Sequence, residues 1–266
     1  MNRNSINLPT KHGRTIALAV AAVCLSLSEA AAVATFTEDF TTNAASWKIS
    51  SGGADPAYFP TGGPDNSAYI SNSFNFASTD TGSNVVLFRG QDNFNSSSDA
   101  FVGNWIADGV TEFTLAIRHD FGSDLSFFVR FATPNNSPAV SGVVPTLVPT
   151  GVWTQLTIQI DPSNVILTSE GPPATTYNST FSNVGNIQVA IGTPASLGNQ
   201  NTTVKFDIDK PHVTAVPEPT TAGMIALGAG WMCFRRRTRR TQGTAEFRKL
   251  SLKNSKAREA ARTAVS

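Results

Sequence analysis

The chain has 266 residues, 40% of them hydrophobic, with 20 Lys and Arg against 19 Asp and Glu and only two cysteines. That length allows one large domain or two small ones. Cys24 and Cys233 both lie in apolar runs near the ends, so the region between them has neither a disulfide framework nor thiolate chemistry and must be held by its core. The near-neutral total conceals a partition: residues 35–215 carry six Lys and Arg against fifteen Asp and Glu, a net of −9, whereas residues 235–266 carry eleven against two, a net of +9.

Residues 1–32 read as a secretory signal peptide. A basic start (Arg3, Lys11, Arg14) precedes the apolar run Ile16 to Leu27 and the small-residue stretch Ala30-Ala31-Ala32. The run is too short to span a bilayer comfortably, and cleavage is expected after Ala32, with Ala30 and Ala34 as close alternatives. Cys24 lies inside the apolar run, with Ala21 and Val23 near it; those neighbours do not match a lipidation signal.

Residues 33–215 read as one all-β domain. The segment is rich in Gly, Asn, Ser, Thr and Phe, with turn formers about every ten residues. Phe36 to Phe40 opens it, and Ala68 to Ile70 and Val85 to Phe88 are short strand candidates. Strict alternation then marks Phe113/Leu115/Ile117, Leu125/Phe127/Val129/Phe131, Leu156/Ile158/Ile160, Ile187/Val189/Ile191 and Val204/Phe206/Ile208. No stretch of the domain has a helical period. Loops are expected at 50–66, 91–99, 134–150 and 192–203. Roughly eight to ten short strands of this kind predict an antiparallel two-sheet β-sandwich, a jelly roll, large enough to bury a core without a metal or disulfide.

Residues 216–240 contain Val216-Pro217-Glu218-Pro219, a second apolar run from Ala222 to Phe234, and Arg235-Arg236-Arg237 with Arg239-Arg240. The prolines keep the motif extended, and the arginines beside an apolar run read as a stop signal that stays cytoplasmic, in preference to a nucleic-acid-binding patch. Residues 241–266 form a basic tail expected to be disordered. The three parts in this order resemble the PEP-CTERM sorting signal. The resemblance implies that Val216, Pro217, Glu218, Pro219, Arg235, Arg236 and Arg237 are recognition residues for an exosortase, a membrane cysteine transpeptidase that removes the tail. It implies as partners the secretion machinery, the exosortase and, transiently, the inner membrane; it implies anchoring there before processing, then the cell surface or extracellular matrix. Two departures from the family stand out. The apolar run has 13 residues, which as a helix covers only ~20 Å of a ~30 Å hydrocarbon core, and 26 residues follow Arg240.

The domain is similar, more loosely, to laminin B and galactose-binding jelly rolls. The likeness rests on Thr37-Glu38-Asp39-Phe40 with Trp47, Gly62-Gly63-Pro64 before Ala68-Tyr69-Ile70, Gly151-Val152-Trp153, Asp161-Pro162, Thr180 to Val184 and Phe206-Asp207-Ile208-Asp209. Such jelly rolls often hold a structural Ca²⁺ where the first and last strands meet, and Glu38, Asp39, Asp207 and Asp209 would supply hard oxygen ligands there; solvated carboxylates are the alternative. Trp47, Tyr58, Phe59, Trp105 and Tyr177 lie in or beside expected loops and are candidate sugar-stacking rings, with plugs of the sandwich ends as the alternative. The sequence lacks Gly-X-Ser-X-Gly, His-Glu-X-X-His and Glu-X-Asp-X-Glu, and His119 beside Asp120 reads as a lone surface histidine. The expectation is an exported non-catalytic surface or matrix protein, glycan-binding through its jelly roll. A purely structural component, and less favoured an enzyme acting on exopolysaccharide, are the alternatives.

Overall fold

The computed structural model describes residues 32–49 and 53–216. The expected signal peptide up to Ala31, the expected sorting signal from Pro217 onward with the short apolar helix expected there, and the basic tail lie outside the described residues. Among the described residues no helix is long and apolar enough to cross a membrane.

The chain folds as the expected antiparallel jelly-roll sandwich. Among the described residues eleven strands run β1 (Phe36–Thr37), β2 (Ala57–Phe59), β3 (Tyr69–Asn75), β4 (Asn84–Gln91), β5 (Val110–His119), β6 (Phe127–Ala132), β7 (Ala139–Val143), β8 (Thr154–Gln159), β9 (Leu167–Ser169), β10 (Asn186–Gly192) and β11 (Thr203–Ala215), with one α-helix α1 (Pro173–Phe181). The first sheet is ordered β2-β3-β11-β5-β8 with β1 also on β11; the second is β4-β10-β6-β7-β9. Every pairing is antiparallel.

Alternation produces this packing directly. Phe113, Leu115 and Ile117 of β5, Phe206 and Ile208 of β11, and Phe127, Val129 and Phe131 of β6 all turn inward and are essentially inaccessible. Each large apolar side chain so buried contributes roughly 1.5–3 kcal/mol. The aromatic rings meet mainly edge to face, as Phe113 does on Phe131 at 5.4 Å and Phe127 on Phe206 at 6.1 Å, the arrangement ring quadrupoles favour.

Two strands lie where loops were expected, and a third strand and the helix lie where no element was expected. β2 falls within 50–66 and β7 within 134–150, while β9 and α1 follow the strand at 154–159. β2 and β9 have three residues each, too few for alternation to register. Ser141 and Gly142 break the apolar pattern of β7. The helix PATTYNSTF carries three threonines and buries only Thr176, Thr180 and Phe181, so tertiary packing of two turns overrides weak local propensity.

A β-bulge in β11 positions much of the outer surface. Asp209 pairs with Ala116 and His212 with Thr114, three steps on β11 against two on β5. Lys210 takes a left-handed φ of 50° in the bulge. The extra residue reverses the alternation, so Val213 faces the core while His212 turns outward like Asp209.

Candidate functional site

The outer face of the six-stranded sheet carries a cluster of aromatic and charged groups. Phe59 of β2 stacks on Tyr69 of β3 at 4.8 Å, and Tyr69 meets Trp153, just before β8, edge to face at 5.5 Å. The Arg118 guanidinium lies 4.5 Å from the Trp153 ring centre and 5.2 Å from that of Tyr69, and the Lys205 ammonium 5.0 Å from that of Phe59. These are cation–π distances. Asp207 fixes both cations: its Oδ2 accepts from Arg118 Nε at 2.9 Å and Nη2 at 2.7 Å, and its Oδ1 stands 3.6 Å from Lys205 Nζ. The Trp153 indole N–H donates to the Gly62 carbonyl at 3.1 Å. The ring is thereby pinned from its edge and from one face.

Beside this cluster lies a cavity of about 450 Å³, lined by Trp153, Thr114, Ala116, Gln155, His212 and Lys210 among others. Its floor is strand surface: Thr114 and Ala116 of β5, and Gln155 of β8 opposite Ala116. His212 is held by Thr37 Oγ1 at 2.7 Å and Thr214 Oγ1 at 3.1 Å, and Lys210 pairs with Asp65 at 3.1 Å. One indole wall above a floor of hydroxyl, amide and imidazole groups suits a flat polyhydroxylated ring, which offers an apolar face and a polar edge.

No protein-family model matches the chain, and no curated protein matches it. Solved structures of similar outline include an exo-β-agarase (8% identity over 70% of this chain and 26% of that one, TM-score 0.44) and a family 11 carbohydrate-binding module of a Clostridium thermocellum cellulosomal cellulase (13%, 71% and 98%, TM-score 0.42). The L4b domain of human laminin alpha-2 is a third (10%, 49% and 80%, TM-score 0.29). The chain thus spans about a quarter of the agarase and nearly all of the binding module. Likeness at this level sets neither family nor ligand.

The residues expected from sequence fare unequally. Trp47 and Trp105 are core groups with no exposed surface, which corrects their assignment as sugar-stacking rings. The Trp47 N–H donates to Ser97 Oγ and that of Trp105 to the Phe101 carbonyl, both at 2.9 Å. Tyr58 packs against the core and donates its hydroxyl to Thr41 O at 3.0 Å. Tyr177, on α1, packs against Phe181 with the rings tilted by 50° at 4.7 Å; burial, then the charge of Asp161, pushes its phenol up to about 12. Only Phe59 joins the outer cluster. Tyr69, Arg118, Trp153 and Lys205 are not among the expected sugar-binding residues, although alternation points to Trp153, which precedes the outward Gln155, Thr157 and Gln159 by one period of two.

The four carboxylates expected around a cation do not converge. Asp207 is neutralised by Arg118 and Lys205. Glu38 Oε1 accepts from the Phe40 backbone N–H at 2.8 Å, and Asp39 is exposed. Asp209 is fully buried, accepting from Ser67 Oγ at 2.5 Å and from Lys210 N at 2.7 Å. Among the described residues no group of three acidic, His or Cys side chains could hold a metal, and a carboxylate already forked to a guanidinium is a poor calcium ligand. His119 is not a surface residue: it is buried, between the Val148 carbonyl at 2.8 Å and the Phe121 N–H at 3.2 Å.

Proposed function

We propose that this chain is an exported, non-catalytic glycan-binding protein of the cell surface or extracellular matrix, and that the outer face of its six-stranded sheet is the sugar-binding surface. The observation that carries the reading is the cavity walled by Trp153 and floored by Thr114, Ala116 and Gln155. Sugar rings stack on aromatic faces and are oriented by a few fixed polar groups. Trp153 is such a face, held before any ligand arrives by Gly62 and Arg118, which lowers the ordering cost of binding. Export and exosortase sorting are supported by the signal-peptide layout of residues 1–32 and by Pro217-Glu218-Pro219 with its apolar run and arginines.

A glycan array probed with the full chain and with Trp153→Ala tests the reading. Selective binding of one glycan class is expected, weakened about tenfold or more by the substitution, on the scale of losing one aromatic stacking contact with its buried area. Binding to no glycan, or equal binding by both proteins, would overturn it.

A further inference from the structure

The five-stranded sheet has an outer face of its own, and strand register lines up one residue from every strand across it. Arg89 of β4 lies opposite Gln188 of β10, Gln188 opposite Arg130 of β6, Arg130 opposite Ser141 of β7, and Ser141 opposite Thr168 of β9. Lys48 continues the row by a bridge to the free side of Arg89. Three of the six cations of an otherwise acidic domain therefore stand in one row.

Two of the three are already matched. Arg130 forks onto Glu170 (Nε–Oε1 2.5 Å, Nη2–Oε2 2.8 Å) and donates to Asn136 Oδ1 at 2.8 Å; Lys48 pairs with Asp55. Arg89 differs. Among the described residues no carboxylate pairs with it, and its Nε is buried with no hydrogen-bond partner. Burial, and then the charge of Arg130, push its pKa below the usual guanidinium value. A half-buried cation with no carboxylate partner and a like charge nearby is a standing cost that an anion arriving in the cavity it lines would reduce.

The surroundings of Arg89 indicate what that anion is attached to. Arg89 lines a cavity of about 440 Å³ with Ile49, Ser83, Asn84 and Val86, room for a sugar ring. Asp80 also lines it, its Oδ1 accepting from Asn199 Nδ2 at 3.0 Å. The neighbouring row across the sheet is apolar: Val86, Ala190, Phe128 and Val143 stand in register, with Ala190 buried, Val86 and Phe128 half-buried and Val143 exposed. One available guanidinium beside an apolar strip fits a singly charged carboxylate on a ring with an apolar face. A phosphate dianion would ask for the second cation, which Glu170 holds.

We propose that Arg89 binds the carboxylate of an acidic sugar, making the outer face of the five-stranded sheet a second subsite, selective for uronate units of an anionic polysaccharide. This rests on the glycan-binding reading but uses the opposite sheet, so the two fail separately.

The test is calorimetric titration of the full chain with oligogalacturonate and with the same oligosaccharide after carboxyl reduction, which leaves shape and removes charge. The acidic form should bind roughly tenfold tighter, the order of one charged hydrogen-bonded contact. Arg89→Gln should abolish that preference, Arg89→Lys should keep part of it, and Trp153→Ala should leave it in place. Thermal unfolding of each variant verifies the fold; if Arg89→Gln does not fold, the Arg89→Lys titration decides, a preference undiminished from wild type counting against the proposal. Equal binding of the two oligosaccharides, a preference that survives Arg89→Gln, or equal binding of a sulfated neutral oligosaccharide would overturn it. Equal binding that still depends on Trp153 would overturn the acidic subsite alone and leave the first reading standing.

Discussion

Asp207 and Asp209 stand two residues apart on the same face of β11, as alternation requires, yet their surroundings are opposite. Asp207 meets two cations. Asp209 is buried against a hydroxyl and a backbone N–H, where burial, with the Asp39 charge adding, raises its pKa against the opposing hydrogen bonds and the Lys210 charge. The Ser67 hydroxyl has one proton and two acceptors in reach, Pro64 O and Asp209 Oδ2. A protonated Asp209 satisfies both by donating to Ser67 while Ser67 donates to Pro64. With the folded pKa above the unfolded one, the folded state holds a proton that the unfolded chain has lost. Stability from this group is therefore full below the unfolded pKa and declines as pH rises through the folded one. Asp209→Asn fixes the neutral form, and its Tm at pH 7 should exceed wild type by roughly 2–4 °C, about 1 kcal/mol for a domain this size. Thermal unfolding from pH 4 to 7 should show a flatter dependence in the variant; an unchanged slope would count against this account. The sequence showed that the two carboxylates share a face. It could not show what they meet, because Arg118 lies 89 residues from Asp207 and Ser67 142 residues from Asp209.

At the level of elements, the long alternating strands were legible, β1, β3 and β4 were legible in part, and β2, β7 and β9 were not. β5, β6, β8, β10 and β11 are visible because each repeats its apolar position three or four times. β7 shows why the others escaped. Its inward positions include Gly142, where glycine is needed for room: an added Cβ would stand 2.9 Å from Ile158 Cγ2 and 3.0 Å from its Cδ1, across the gap between the sheets. A residue that reads locally as a turn former is thus a packing choice made by the opposite sheet. Gly142→Ala should destabilise the domain by about 1–3 kcal/mol through overpacking, and Ile158→Val in the same chain should restore part of the loss. Urea unfolding of the single and double variants measures both. Equal stability of Gly142→Ala and wild type would show that the sheets separate freely there. The same logic explains Trp47 and Trp105. Their loop positions looked exposed in sequence, but Gly90 leaves space for the Trp47 ring, and Phe113, Phe131 and Phe181 surround Trp105.

Over the whole molecule, the described domain closes at a single place. Val33 N donates to Asp108 Oδ2 at 2.9 Å, Val216 N donates to Gly109 O at 2.8 Å, and β1 pairs with the end of β11 through Phe36–Val213 and Thr37–His212. The first and last described residues of the sandwich are thus tied to one turn, and among the described residues the strands begin at Phe36 and end at Ala215. Cleavage after Ala32 and again near the Pro217-Glu218-Pro219 motif would therefore cut no ladder of the described sandwich. Both cysteines and the basic charge would leave with the removed pieces, so the product would be an acidic, thiol-free sandwich. Intact-mass analysis of the protein from its native host should find a mature chain beginning at Val33 and ending between Val216 and Thr221, with the same Tm in the presence and absence of reductant. Recovery of chain extending to Ser266 in the membrane fraction would instead establish a retained anchor. It would also leave the +9 tail on the opposite side of the bilayer from the −9 domain, the arrangement that the positive-inside rule favours when no processing occurs.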